Sequence, residues 1–135
     1  MFSGSLVAIV TPMLASGEID RAAWLRLLDL HLDNATAGVI VGGTTGESAT
    51  LLEAELRELT TTALEHVAGR MKVIAGAGTS STAESVARAR WLSALGVDGL
   101  LVVTPAYVKP TQEGLIRHFT AVAEASSVPI LLYNV

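Results

Sequence analysis

Four hydroxyl-bearing side chains, Thr44, Thr45, Tyr107 and Tyr133, follow short apolar runs at widely separated points of the sequence. The first two sit in Gly42-Gly43-Thr44-Thr45-Gly46-Glu47-Ser48, where aliphatic residues give way to glycines, hydroxyls and one carboxylate. A turn of this composition suits a phosphate, a nucleotide or a small carbonyl acid, and it also suits a plain tight connection. Hydroxyls can hold a carboxylate, or pass protons, but with their high intrinsic pKa they do so only across short hydrogen bonds. Any relay among hydroxyls so far apart in sequence therefore needs elements that bring distant points of the chain to one mouth.

The apolar patterning supplies such elements. Strand-length apolar runs recur at Leu6 to Val10, Val39 to Val41, Val73 to Ala75, Leu100 to Val103 and Ile130 to Tyr133. Helical periodicity fills the intervals. One helix is predicted from Asp20 as N-cap through Leu27, Leu28 and His31; a second follows Thr50 and stops near Gly69. A third opens on the capping-box pattern Ser81-Thr82-Ala83-Glu84 and ends at Gly96, and a fourth starts at Thr111 and ends before Ser126-Ser127. Four βα units and a fifth strand point to an α/β fold with a parallel sheet covered on both faces. In such folds ligands bind beyond the carboxyl ends of the strands. Those ends read Thr11-Pro12, Thr44-Thr45, Gly78-Thr79, Thr104-Pro105 and Tyr133-Asn134, a rim of hydroxyls. Helix capping is the competing role for each of them.

Composition and missing motif parts exclude several classes. Seven Arg and two Lys are scattered and outnumbered by 13 acids, which argues against nucleic acid as partner. No Cys is present, so no disulfide or thiolate metal site exists. The opening residues lack signal-peptide features and are too short to span a bilayer, so no membrane partner and a cytoplasmic location are expected. Gly76-Ala77-Gly78-Thr79-Ser80-Ser81 misses the third glycine of a dinucleotide fingerprint, and Asp98 precedes its strand instead of ending it. Gly46-Glu47-Ser48-Ala49-Thr50 lacks the last glycine of a nucleophile elbow. His31, His66 and His118 all fall within predicted helices and share no ligand spacing, so no metal is expected; Trp24, Trp91 and Phe119 are assigned to helix–sheet packing.

Taken together, GGTTGESATL, VIAGAGTSSTAE, LLVVTPAYVKPTQEGLIRHF and LLYNV resemble the dihydrodipicolinate synthase family, in order and spacing over the whole chain. TTGESATL is closer to these enzymes than to their sialic-acid-cleaving relatives. The resemblance implies a (β/α)8 TIM barrel, of which residues 1–135 would be the N-terminal part of a single domain. It implies a lyase that condenses pyruvate with aspartate semialdehyde to 4-hydroxy-tetrahydrodipicolinate, on the way to lysine and diaminopimelate. No cofactor is implied, since a lysine amine forms a Schiff base with pyruvate. By the same likeness Tyr133 donates and accepts protons, Thr44 relays them, and Tyr107 enters the site of a neighbouring subunit in a homo-oligomer, a dimer or tetramer. Thr45, with Thr44 and Gly43, binds the pyruvate carboxylate. The glycines at 42, 43 and 46 are expected to let the backbone approach substrate and offer N–H donors.

Other family parts are missing or altered. The Schiff-base lysine belongs on a sixth strand, and the second substrate's arginine and a C-terminal helical domain also lie outside these residues. Lys72 and Lys109 do not match the lysine's position, so the 135 residues alone are expected to be inactive. We expect them to be a truncated portion whose open strand edges promote association, against which a compact soluble monomer on size exclusion would count. Ser48, Ala49 and Glu84 match a lysine-feedback site, yet Glu53, Leu56, Ser80 and Ala106 stand where feedback-sensitive members usually carry His, His, Asn and Tyr. Weak or absent lysine feedback is expected. A pyruvate-dependent relative acting on another aldehyde or a sugar acid, or a non-catalytic half-barrel fragment, are the alternative readings.

Overall fold

The computed structural model describes residues 2–134. Its elements run β1 (Leu6–Ala8), α1 (Arg21–Asp33), β2 (Gly38–Val41), α2 (Glu53–Val67), β3 (Lys72–Gly76), α3 (Thr82–Leu95), β4 (Gly99–Val103), α4 (Gln112–Ala125) and β5 (Ile130–Tyr133). The sheet order is β1-β2-β3-β4-β5. Parallel pairing sets Leu6 beside Gly38 and Ala8 beside Ile40 at one end, and Leu100 beside Ile130 and Val103 beside Tyr133 at the other. Central strands are buried as their uninterrupted apolar runs require, whereas the edge strands β1 and β5 are half-exposed. The chain divides into two compact units, one ending at Ile74 and the next beginning at Ala75.

In the first unit β1 is shorter than its apolar run predicts. Ile9 is buried and its N–H reaches the Ile40 carbonyl, but Val10 is 51% exposed and the chain has already left the ladder. It turns through Gly17, at φ 90, where Leu14 N–H donates to the Glu18 carbonyl. Asp20 then caps α1 as expected, its Oδ1 accepting from the Ala23 N–H at 2.8 Å; such a cap contributes about 1 kcal/mol. Trp24 and Leu28, one turn apart, bury the inner face of α1. α1 also meets α2 through Arg21–Glu58 and through His66 Nε2–Asp29 Oδ1 at 2.6 Å. The cap of α2 is Leu52, not a hydroxyl near Thr50. Leucine offers no acceptor, and the Glu55 carboxylate compensates by accepting from the Leu52 N–H at 2.7 Å. Leu56, Leu59, Ala63 and Val67 form the buried stripe of α2, which ends on Ala68 in the left-handed region.

In the second unit Ser81 caps α3 and Thr111 caps α4, each accepting from the N–H three residues on. Only that half of the predicted capping box forms at Ser81, because the Glu84 carboxylate accepts from Arg88 Nη2 at 3.1 Å. Gly96, at φ 92, closes α3 as predicted. α3 and α4 pack together around His118, which is buried and whose Nδ1 lies 2.8 Å from Thr82 Oγ1. Of the expected packing aromatics, Trp24 is fully buried, while Trp91 and Phe119 are half-buried.

Burial lowers the pKa of His118 from the ordinary 6.5, because the charged imidazolium loses solvation. The unfolded chain then takes up a proton at a higher pH than the folded chain does. His118 therefore opposes unfolding fully above pH 6.5, and this contribution is lost as pH falls through its folded-state pKa. Urea unfolding measured on both sides of that pH should show a stability loss on acidification that is smaller in His118→Gln; an equal loss in both proteins would contradict it.

Candidate active site

The turn after β2 is built by close packing at its glycines. Gly42 adopts φ 60, and a Cβ there would lie 2.4 Å from Leu56 Cδ1 of the buried α2 stripe. At Gly46 a Cβ would meet the Ile9 carbonyl oxygen at 3.0 Å. Glu47 takes the left-handed region at φ 60 without being glycine, a conformation that costs of order 1–3 kcal/mol and that the surroundings must enforce. The turn holds itself through Gly46 N–H and Ser48 N–H to the Gly43 carbonyl, and Glu47 N–H to the Thr44 carbonyl. The Gly46 N–H is thus engaged within the turn, which corrects the expectation that it serves as a donor to substrate.

Thr44 and Thr45 are both exposed. Among the described residues neither hydroxyl and neither backbone N–H of this pair has a hydrogen-bond partner. Their sequence neighbours on the predicted rim behave differently. Thr11 donates to the Gly46 carbonyl, and Thr79 is tied to Ser81 and Ser85. Thr79 is therefore engaged within the turn ahead of the Ser81 cap, and the carboxyl end of β2 presents a cluster of unengaged donors suited to an anion such as a carboxylate.

In the second unit Tyr133 ends β5, half-buried, with its backbone carbonyl accepting from the Thr104 N–H at 2.9 Å. An open cleft borders it, lined in part by Thr104, Gln112, Phe119, Thr120 and Leu132. Tyr107 stands in the loop after β4 at φ 64 and is 105% exposed, so its ring touches nothing in its own unit. Tyr133 thus ends its strand and Tyr107 follows the carboxyl end of its own, as Thr44 and Thr45 follow that of β2. The lysines lie elsewhere: Lys72 opens β3, exposed, and Lys109 sits in the exposed loop at φ 40. Of the feedback-site matches, Ser48 is half-buried, and Ala49 and Glu84 are exposed. No group of three His, Asp or Glu side chains among the described residues is arranged to hold a metal, and no helix among them is long and apolar enough to cross a membrane.

The model of the dihydrodipicolinate synthetase family matches residues 1–135. The chain belongs to this family. The dihydrodipicolinate synthetase likeness is carried by relatives such as the 4-hydroxy-tetrahydrodipicolinate synthase of Laribacter hongkongensis, 50% identical over all of this chain and 46% of that protein. Among solved structures, the synthase of Methylacidiphilum fumariolicum SolV aligns at TM-score 0.96 and 45% identity, covering 100% of this chain and 45% of the other. The chloride-inhibited dihydrodipicolinate synthase of Acinetobacter baumannii, complexed with pyruvate, aligns at TM-score 0.95 and 42% identity over 98% and 45%. The chain thus spans about half the length of the relatives it matches. Its four βα units and fifth strand are the first half of the family's (β/α)8 barrel.

Sequence reasoning missed two features of this site. It marked Thr11 as a rim hydroxyl but not as a tie to Gly46, because the partner lies 35 positions away. It also expected the Gly46 N–H to face substrate, whereas that group donates to the Gly43 carbonyl.

Proposed function

We propose that these residues form the N-terminal part of a Schiff-base lyase that condenses pyruvate with aspartate semialdehyde to 4-hydroxy-tetrahydrodipicolinate. The observation that carries the reading is the cluster of unengaged donors at Thr44 and Thr45, in a chain of this family. The reaction requires an amine that attacks the pyruvate ketone, expels water, and gives an imine. Loss of a proton from the methyl carbon yields an enamine, and that carbon attacks the aldehyde. Thr45, with Thr44 and Gly43, holds the pyruvate carboxylate, and Thr44 passes protons between Tyr133 and Tyr107. The strained, exposed backbone at Tyr107 supports its insertion into a second copy of the chain, so the active form is a homo-oligomer. The activity belongs to the lysine and diaminopimelate pathway in the cytoplasm and needs no cofactor, since the amine itself activates the ketone.

The amine comes from outside these residues. Lys72 opens β3 at the end opposite Thr44, and Lys109 is in an exposed loop, so the 135-residue chain alone forms no Schiff base. Borohydride reduction in the presence of pyruvate tests this. A polypeptide extended through the second half of the barrel, called the extended enzyme below, should gain one reduced pyruvate on a lysine beyond residue 135, and the shorter chain should gain none. Labelling of Lys72 or Lys109, or no labelling of the extended enzyme, would overturn the reading.

Weak lysine feedback follows from local packing. Leu56 is buried under Gly42, Ser80 Oγ donates to the Ala106 carbonyl at 2.8 Å, and Glu84 and Glu53 are each paired with an arginine one turn on. Leu56 thus offers no polar group and Ser80, Glu53 and Glu84 are already engaged, and calorimetry detecting sub-millimolar lysine binding would reject weak feedback.

A further inference from the structure

Among the described residues, one long-range side-chain hydrogen bond adds to the backbone bonds that hold the Thr44-Thr45 turn. Thr11 Oγ1 donates to the Gly46 carbonyl at 2.8 Å from a residue only 8% exposed. That bond completes a pattern along the turn. The Gly43 carbonyl accepts from Gly46 and Ser48, the Thr44 carbonyl from Glu47, and the Glu47 carbonyl from the Thr50 N–H and hydroxyl. With Thr11 on Gly46, the carbonyls of 43, 44, 46 and 47 all have donors, while the N–H and hydroxyl groups of Thr44 and Thr45 remain open. An anion approaching the turn meets the open donors of Thr44 and Thr45, with four of the turn's carbonyls already engaged. The turn is also closely packed here, since a Cβ at Gly46 would lie 3.0 Å from the Ile9 carbonyl oxygen.

We propose that Thr11 is a positioning residue for the carboxylate-binding turn: by fixing Gly46 it sets where Thr44 and Thr45 present their donors. The proposal rests on the function argued above. Without the Thr11 hydroxyl the Gly46 carbonyl is left buried and unpaired, and the nearest relief is for the turn to swing it toward water, carrying Thr45 with it.

The test compares Thr11→Val, Thr11→Ser and wild type in the extended enzyme. Thr11→Val keeps the buried shape and removes the donor; it should lower kcat/KM by about 10²-fold, as misplacement of a binding group does, mainly through a higher KM for pyruvate. Thr11→Ser should restore most of the loss. Amide hydrogen exchange gives a second readout that needs no turnover: residues 46–48 should exchange faster in Thr11→Val while protection of α2 and β4 is unchanged. A Thr11→Val enzyme with wild-type KM and unchanged exchange overturns the proposal, as does a loss that serine fails to rescue. Should Thr11→Val not fold, Thr11→Cys, with a weak donor of similar size, must fall between serine and wild type on one side and inactivity on the other, or the proposal fails. If the wild-type extended enzyme catalyses no condensation, the functional reading fails, and the exchange measurement alone then decides whether Thr11 governs the turn.

Discussion

Tyr133→Phe in the extended enzyme should lower kcat by about 10²–10⁴-fold, the range expected when a positioned proton donor is removed. The KM for pyruvate should change little, because the proposed function assigns the carboxylate to Thr44 and Thr45 and not to the phenol. The substitution is clean for a structural reason. Tyr133 contributes to its surroundings through a half-buried ring and through its backbone carbonyl, which accepts from the Thr104 N–H at 2.9 Å. Phenylalanine retains both, and the parallel register of β5 on β4, with Val103 beside Tyr133, does not depend on the hydroxyl. A loss in kcat would then report the missing proton. Steady-state kinetics with a pyruvate titration distinguishes the outcomes. A kcat within tenfold of wild type would remove Tyr133 from the chemistry, and a large rise in KM at unchanged kcat would reassign it to binding.

The largest stability effect is expected at Gly78. Its Cα sits so close to β4 that an added Cβ would lie 2.5 Å from the Val103 N, 2.9 Å from Val103 Cγ1 and 3.0 Å from the Val103 carbonyl oxygen. Two of these three atoms are backbone in a paired strand and cannot rotate away. The adjoining Ala77 N–H is itself bonded to the Leu101 carbonyl at 2.9 Å, so the segment cannot retreat without breaking its own tie to β4. Gly78→Ala should therefore cost about 3 kcal/mol, the upper end for overpacking in a close-packed interior. At the roughly 3 °C per kcal/mol expected for a chain of this size, the melting temperature should fall by about 10 °C. Gly69→Ala is the matched control for clash, since nothing lies within 4 Å of a Cβ there, although its φ of 76 adds backbone strain alone. Calorimetric melting of the two variants separates the effects; a Gly78→Ala protein that melts within a degree or two of wild type would show that β4 can shift.

The features legible in the sequence are those governed by near neighbours. Asp20, Ser81 and Thr111 cap helices because a short polar side chain reaches an N–H three residues on, and Gly96 ends α3 because it alone tolerates φ 92 without strain. Five apolar runs separated by helical periods were enough for the sheet, because a parallel strand buried on both faces leaves no other pattern. Features set by the competition between distant partners were not legible. Val10 reads as strand but has no ladder partner, and Glu84 completes a capping box on paper but goes to Arg88 when the helix forms. The requirement for glycine at position 78 arises from Val103, 25 residues away, and the engagement of Thr11 from Gly46. For the site, residue types and apolar runs marked which hydroxyls stand at strand ends. The individual roles of Tyr133, Thr44 and Tyr107 came from family likeness, because proton transfer is a property of pairs of atoms that no single segment contains.

The coincidence of sheet order with chain order, β1 through β5 with each strand beside its neighbours in sequence, bears on how the polypeptide is made. Every strand finds its partner one βα unit away, so the loop that must close is short and its entropic cost low. A ribosome delivering the chain from its first residue releases each strand after the neighbour it will join is already free of the tunnel. Over β1 to β5 the nascent protein can therefore grow as a ratchet, each new unit docking on a finished edge, while β1, whose second mate in a closed (β/α)8 barrel is the last strand, waits for the end of synthesis.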